Sequence, residues 1–134
     1  MKVYDGEKCI IGRVASQAAQ DALKGEKVEI YNAEKLIFTG NKKPVIEKYK
    51  HRRSLRDHAK PVKSPKFPRI PTLFVKRIIR GMLPWRSKRG KEAFRKIKVY
   101  NEVPEKGTKK IYELKKDIRF VTVKQVCKEL GWNK

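Results

Sequence analysis

The sequence predicts an α/β fold built on a small, mostly parallel sheet, and two observations carry that prediction. A strand-like segment, a helical period and a second alternating segment follow one another before Asn32, the signature of a β-α-β unit with a right-handed crossover. Helical periods and short apolar runs stay mixed along the chain, with no internal repeat, low-complexity tract or heptad run. At 134 residues the chain has the length of one domain, so 1–134 is expected to fold as a single unit.

Val3-Tyr4 opens the first strand, and Asp5-Gly6 turns the chain. Ile11, Val14, Ala15, Ala18 and Ala22 then share one helical face, and Gly25 follows where a helix-terminating glycine belongs. Lys27 to Tyr31 alternates, with Val28 and Ile30 on one side, and reads as a strand. After a turn at Ala33-Glu34-Lys35 and the apolar run Leu36-Ile37-Phe38, the chain breaks at Thr39-Gly40-Asn41. Pro44 is tolerated in the first turn of a helix, so Lys42 to Arg56 reads as a helix with Val45, Tyr49 and Arg52 on one face. Lys48, Lys50, Arg53 and Arg56 crowd its outer face, and such like charges destabilise an isolated helix.

Pro61, Pro65 and Pro68 stand among Lys60, Lys63, Lys66 and Arg69, which rules out a regular helix or central strand and makes 57–70 an extended basic loop. Pro71 opens the next helix, with Phe74, Val75, Ile78 and Ile79 as its apolar face and Lys76, Arg77 and Arg80 opposite. Gly81 is expected to close it in the left-handed conformation, and Pro84 to prevent its resumption. Trp85 to Arg89 reads as an exposed loop, and Gly90 as a point of close backbone approach. Ala93, Phe94 and Ile97 suggest a short helix running into Val99-Tyr100, and Pro104 ends the block. Residues 105–134 read as a C-terminal extension: polar loop to Lys116 apart from Ile111 to Leu114, then a strand at Arg119 to Val121. Thr122 caps a last short helix, carrying Val123, Val126, Cys127 and Leu130, that stops at Gly131.

Charge decides the class of partner. Lys and Arg number 36 against 14 acids, a net +22, and such self-repulsion is relieved best by a polyphosphate that releases its counterions on binding. The excess is concentrated: Lys42 to Lys98 holds 21 Lys and Arg against three acids, whereas the rest of the chain holds 15 against 11. The basic stretch also carries Tyr49, Phe67, Phe74, Trp85 and Phe94, of which only Trp85 lacks a place on an apolar helical face or beside one. An exposed aromatic of that kind can stack on an unpaired base. The expected RNA-binding residues are therefore Lys42, Lys43, Lys48, Arg52, Arg53 and Arg56 on the second helix, and Lys60, Lys63, Lys66 and Arg69 in the loop. Lys76, Arg77 and Arg80 follow, then Trp85, with the densest phosphate contact at Arg86, Lys88 and Arg89.

Other chemistries lack their residues. His51 and His58 have no acidic or cysteine neighbours that would complete a metal set, and no metal is expected. The turn from Gly6 to Arg13 lacks the G-x-G-x-x-G spacing, and Thr39-Gly40-Asn41-Lys42 lacks both the earlier glycine and the following hydroxyl of a phosphate loop. No cofactor, small-molecule substrate or catalytic residue is expected. Cys9 and Cys127 stand far apart and read as small buried hydrophobes of a reducing compartment. Neither a spanning apolar segment nor a basic helix with a large apolar face is present to suggest a membrane. Only the short Cys9-Ile10-Ile11 follows the start, so no secretory leader is read and the cytoplasm is the expected location.

Several motifs in order carry a resemblance more specific than charge. Gly12-Arg13-Val14-Ala15-Ser16, Asn32-Ala33-Glu34, Thr39-Gly40-Asn41-Lys42, Arg80-Gly81-Met82-Leu83-Pro84, Lys88-Arg89-Gly90 and Ile97-Lys98-Val99-Tyr100 resemble stretches of the universal large-subunit ribosomal protein thirteen family. The resemblance covers Met1 to Pro104, and Leu130-Gly131-Trp132 is similar to the archaeal and eukaryotic branch. It implies a three-layer α/β/α domain with basic extensions, embedded in large-subunit rRNA beside neighbouring ribosomal proteins, with a role in assembly and stability of the subunit. It also adds Arg13 to the expected RNA contacts and, by extending them over Arg80 to Gly90, adds Gly81, Pro84, Ser87 and Gly90. The sequence departs from the family at Trp85-Arg86, where His-Lys is common, and at Ser64, where a glycine usually precedes the proline.

Overall fold

A computed structural model describes residues 1–104, 108–114 and 117–133. Its elements, in chain order, are β1 (Lys2–Asp5), α1 (Ile11–Leu23), β2 (Val28–Tyr31), β3 (Ile37–Thr39), α2 (Lys42–Ser54), α3 (Pro71–Gly81), α4 (Lys88–Arg95), β4 (Ile97–Val99), β5 (Lys109–Lys110), β6 (Phe120–Thr122) and α5 (Val123–Glu129). The fold is α/β, as the β-α-β start predicts.

The main sheet has the order β4-β2-β1-β5, and each of its pairings is parallel. Its register sets Lys2 beside Val28 and Val28 beside Ile97, then Tyr4 beside Ile30 and Ile30 beside Val99. Tyr4, Val28, Ile30, Ile97 and Val99 are buried, whereas the intervening Glu29 and Tyr31 are half-buried and Lys98 is exposed. This alternation follows from the two-residue period of a strand with one face against the core. Helix α1 packs against α3 and α4, and Val14, Ala18, Phe74, Val75 and Ile79 join the buried strand residues in one core. Full burial of a side chain such as Phe74 or Ile79 contributes about 2 kcal/mol.

A second sheet pairs β3 with β6, antiparallel, setting Phe38 opposite Val121. The apolar run around Ile37 and the strand expected near Val121 are therefore partners, and α5 returns to pack on α2, α3 and the 3-10 turn Ala33–Lys35. Thr122 caps α5 as expected: its Oγ1 accepts the Gln125 N–H at 3.3 Å, while Gln125 Oε1 accepts the Thr122 N–H at 3.2 Å. Of the polar loop expected from Glu105 to Lys116, Lys109–Lys110 is instead a strand, β5, paired with the edge of β1, while 105–107 and 115–116 lie outside the described residues, as does residue 134.

Several local expectations change. Gly81 is not left-handed; it is the last residue of α3, and among the described residues the glycines with positive φ are Gly25, Gly40 and Gly131. The exit from α3 runs instead through Met82 at φ −95°, with Leu83 N–H donating to the Arg80 carbonyl at 3.2 Å. Lys88 and Arg89 belong to the first turn of α4 rather than to a loop, because Ser87 caps that helix through the Gly90 N–H at 3.1 Å. In α2, Ile46 joins Tyr49 as a buried residue while Arg52 is exposed. Residues 97–99 form a strand of the main sheet, a position their three-residue length could not reveal alone.

Candidate nucleic-acid interface

Helix α2 buries only Ile46 and Tyr49, which leaves Lys48, Arg52, Arg53 and, just beyond its end, Arg56 exposed. Arg52 and Lys48 lie over the Tyr49 ring, 5.5 and 5.7 Å from its centroid. The 57–70 loop is fastened beside this helix by Phe67. That ring meets Phe74 at 5.5 Å and Tyr49 at 5.6 Å between centroids, and Tyr49 meets Phe74 at 4.8 Å. Each such aromatic pair contributes about 1 kcal/mol beyond its burial. The Arg53 guanidinium also donates to the Phe67 carbonyl at 2.8 Å. Nearer its start, the loop closes on itself: Asp57 N–H donates to Ser64 Oγ at 2.9 Å, and Asp57 Oδ1 accepts the Ala59 N–H at 3.0 Å. Lys60, Lys63 and Lys66 stand exposed on this folded loop.

Helix α3 completes a groove with these elements. Arg52 and Leu55 from the end of α2, Lys66 and Phe67 from the loop, Arg77, Arg80 and Gly81 from α3, and Trp85 beyond it line a cavity of about 460 Å³. Its lining contains four cations, Arg52, Lys66, Arg77 and Arg80, and no acid. Among the described residues none of the four makes an ion pair. Like charges held together without an acid raise the local potential and favour an anionic ligand.

The segment after α3 is built tightly. The Arg80 guanidinium lies 4.2 Å from the Trp85 ring centroid, Trp85 meets Phe94 edge-on at 5.2 Å, and Lys76 Nζ lies 5.1 Å from the Phe94 ring. Trp85, expected as an aromatic without a packing role, is thus half-buried between α3 and α4. Ser87 donates its hydroxyl to the Pro84 carbonyl at 2.9 Å. Gly90 faces that same carbonyl, and a Cβ there would sit 2.1 Å from the Pro84 oxygen, so close approach to a neighbouring element is what its missing side chain permits.

The structure separates some residues that the sequence groups together. Arg86 and Lys88 are exposed at the start of α4, but the Arg89 guanidinium donates to the Leu23 carbonyl at 3.3 Å and so serves the C-terminal end of α1. Lys96 joins it there, donating to the Gly25 carbonyl at 3.1 Å, as cations do at the negative end of a helix dipole. Lys42 pairs with Glu129 of α5 at 4.0 Å. Arg13 is exposed on α1, 5.9 Å from the Tyr112 ring centroid. Lys43 is exposed in the first turn of α2 and Lys76 half-buried on α3, while Arg69 reaches toward Gly131.

Sequence reasoning missed two apolar residues of the groove, Leu55 and Leu83, because each lies just beyond the end of its helix. It also passed over a second basic hollow of about 380 Å³, where Lys27, Arg95, Lys96 and Lys98 stand with Glu29 and Glu92. The run of cations from Lys91 to Lys98 was the available signal.

Other titratable groups are structural. Burial first, and nearby acids second, push the Cys9 thiol up to about 11; burial and Glu34 push Cys127 up to about 12. Such thiols stay protonated and are poor nucleophiles. Among the described residues no group of His, Cys, Asp and Glu has the arrangement of a metal site, and no helix is long and apolar enough to cross a membrane.

Comparison with known proteins gives the same chemistry a lineage. The family described as Ribosomal protein L13 matches residues 1–106. The chain is 42% identical over 134 residues to the large ribosomal subunit protein uL13 of Methanococcus maripaludis, with 98% of both chains covered. Its identity to the protein of that name from Methanocaldococcus jannaschii is 40%, again covering 98% of each. The Archaeoglobus fulgidus protein is 37% identical over 139 residues, covering 97% of this chain and 87% of the relative.

Proposed function

The chain belongs to the ribosomal protein L13 family, and from that premise we propose that it is a structural constituent of the large ribosomal subunit that binds large-subunit rRNA and supports assembly and stability. It acts by position and charge and not as an enzyme. The observation that carries this reading is the groove, whose lining brings together cations from α2, the 57–70 loop and α3 and contains no acid. RNA supplies the missing anions through phosphates, and Arg can hold a phosphate with two hydrogen bonds at once.

The contacts we assign to RNA are Lys48, Arg52, Arg53, Arg56, Lys60, Lys63, Lys66, Arg77 and Arg80, extended by Arg86 and Lys88 at the start of α4. Arg13, Lys42, Lys43, Arg69 and Lys76, none of which lines the groove, are assigned as further contacts. Gly81, Pro84, Trp85, Ser87 and Gly90 shape it, and Arg89 holds α4 to α1. In this reading 1–134 acts as a single domain, with α5 packed on α2 and α3. Neighbouring ribosomal proteins are further partners, and the cytoplasm is the location.

Sedimentation tests the proposal. In a sucrose gradient of a cell lysate, the protein should travel with the large subunit at near one copy per particle, and should stay there after a moderate-salt wash. Recovery in the soluble fraction, or with RNA that is not ribosomal, would sink the ribosomal assignment.

A further inference from the structure

Resting on the reading above as an RNA-binding protein, we infer that the groove between α2, the 57–70 loop and α3 is a receptor for one unstacked nucleotide of the bound RNA. Its base lies against the apolar lining, and its phosphates meet the cations of the rim. The volume, about 460 Å³, falls in the range of roughly 300 to 1,000 Å³ that small-ligand sites occupy.

The lining itself argues for a base. Contacts to an RNA duplex run mainly through phosphates and 2'-hydroxyls, and these give no reason to keep apolar side chains open to solvent between arginines. Yet Leu55 is 46% exposed where it lines this groove beside the half-buried Phe67. An unpaired base supplies the flat apolar partner that such a wall lacks.

Arg80 offers the second surface. Its guanidinium is held 4.2 Å from the Trp85 ring centroid, so it is already restrained before any ligand arrives. Guanidinium planes and aromatic rings are the surfaces on which splayed-out bases stack. Arg52, Lys66 and Arg77 remain to meet phosphate, and the lining contains no acid that would repel it. The same absence argues against a basic peptide as occupant, since nothing in the groove would balance its charge.

Gly81 makes the inference testable without disturbing the fold. It lines the groove, it is not left-handed, and a Cβ added there would meet nothing within 4 Å. A side chain can therefore be started at this position without a clash at its Cβ, and a leucine adds apolar bulk to the groove lining. The probes are an RNA duplex and the same duplex carrying one bulged adenosine, measured against the full chain by fluorescence anisotropy. The bulged duplex should bind about tenfold more tightly, the order expected of one base stacked on protein side chains. Gly81→Leu should remove that preference, bringing the two duplexes to equal affinity, with the circular dichroism spectrum unchanged. Leu55→Glu, at an exposed position, should remove it as well and guards against a folding defect in the first variant.

Equal binding of the two duplexes by the parent chain, or a preference that survives both variants, would overturn the nucleotide receptor, leave the RNA reading standing and make a peptide segment the remaining occupant. Binding to neither duplex would overturn the RNA reading and this inference together.

Discussion

Asp21 shows what a single side chain can demand of its surroundings. It lies on α1, where only an apolar residue would be expected to face inward, and it has no solvent exposure. Burial by itself would push its carboxyl up, but hydrogen bonds from Tyr4, Lys2 and Gln17 outweigh that and hold it below its ordinary value of 3.8. The lowered value means that folding favours the carboxylate. The stabilisation is therefore complete above the unfolded value and is lost as pH falls through the folded one. Asp21→Asn should flatten the acid side of the stability curve below about pH 4, and Asp21→Ala should cost about 2 kcal/mol in urea denaturation at neutral pH. Two glycines give a matched pair at the same scale. Gly90→Ala drives a Cβ into the Pro84 carbonyl and should cost at least about 2 kcal/mol. Gly81→Ala meets nothing within 4 Å and should gain roughly 0.5 kcal/mol by restricting the unfolded chain; thermal melts of the two variants should move in opposite directions.

Elements differ in how far their own residues specify them. Helices α1 and α3 carry apolar residues at helical spacing over at least three turns, and both were legible with their ends nearly in place. β3 and β4 have three residues each, too few to display a period, and each is a strand because of what lies beside it. Helix α5 is a third case: only seven residues long, it depends on its reciprocal cap. Thr122→Ala should cost about 1 kcal/mol, and hydrogen exchange should be faster for the amides of α5 than for those of α1. An unchanged exchange rate in α5 would mean that packing on α2 and α3, not the cap, holds it. The basic loop was legible as irregular from its prolines, but its Phe67 anchor and its Asp57–Ser64 closure were not, because they join residues that no local pattern relates.

For the whole molecule the governing quantity is a net charge of +22. Such a protein should bind rRNA with an affinity that falls steeply as salt rises, because each phosphate contact releases condensed counterions. Arg52 and Arg77 are the cleanest probes, since both line the groove and neither makes an ion pair among the described residues. Changing both to Gln should lower the slope of log affinity against log salt by roughly 2 in magnitude, with the fold unchanged. Arg89→Gln should behave differently. Its guanidinium serves the Leu23 carbonyl, so the expected loss is about 1 kcal/mol of stability, read by denaturation, with a smaller change in the salt slope.

The sequence by itself determined the α/β class, the main helices and the segment that holds the charge excess. Those properties are local sums: a period is read within one helix, and a charge excess within one segment. The tertiary structure alone decided which cations share a groove, which carbonyl Gly90 must clear and which donors keep Asp21 ionised. It also decided that Arg89, 66 residues from Leu23, and Lys110, 103 residues from Glu7, end beside those partners. Contacts across such distances are set by how the sheet and helices pack, and spacing along the chain cannot express them.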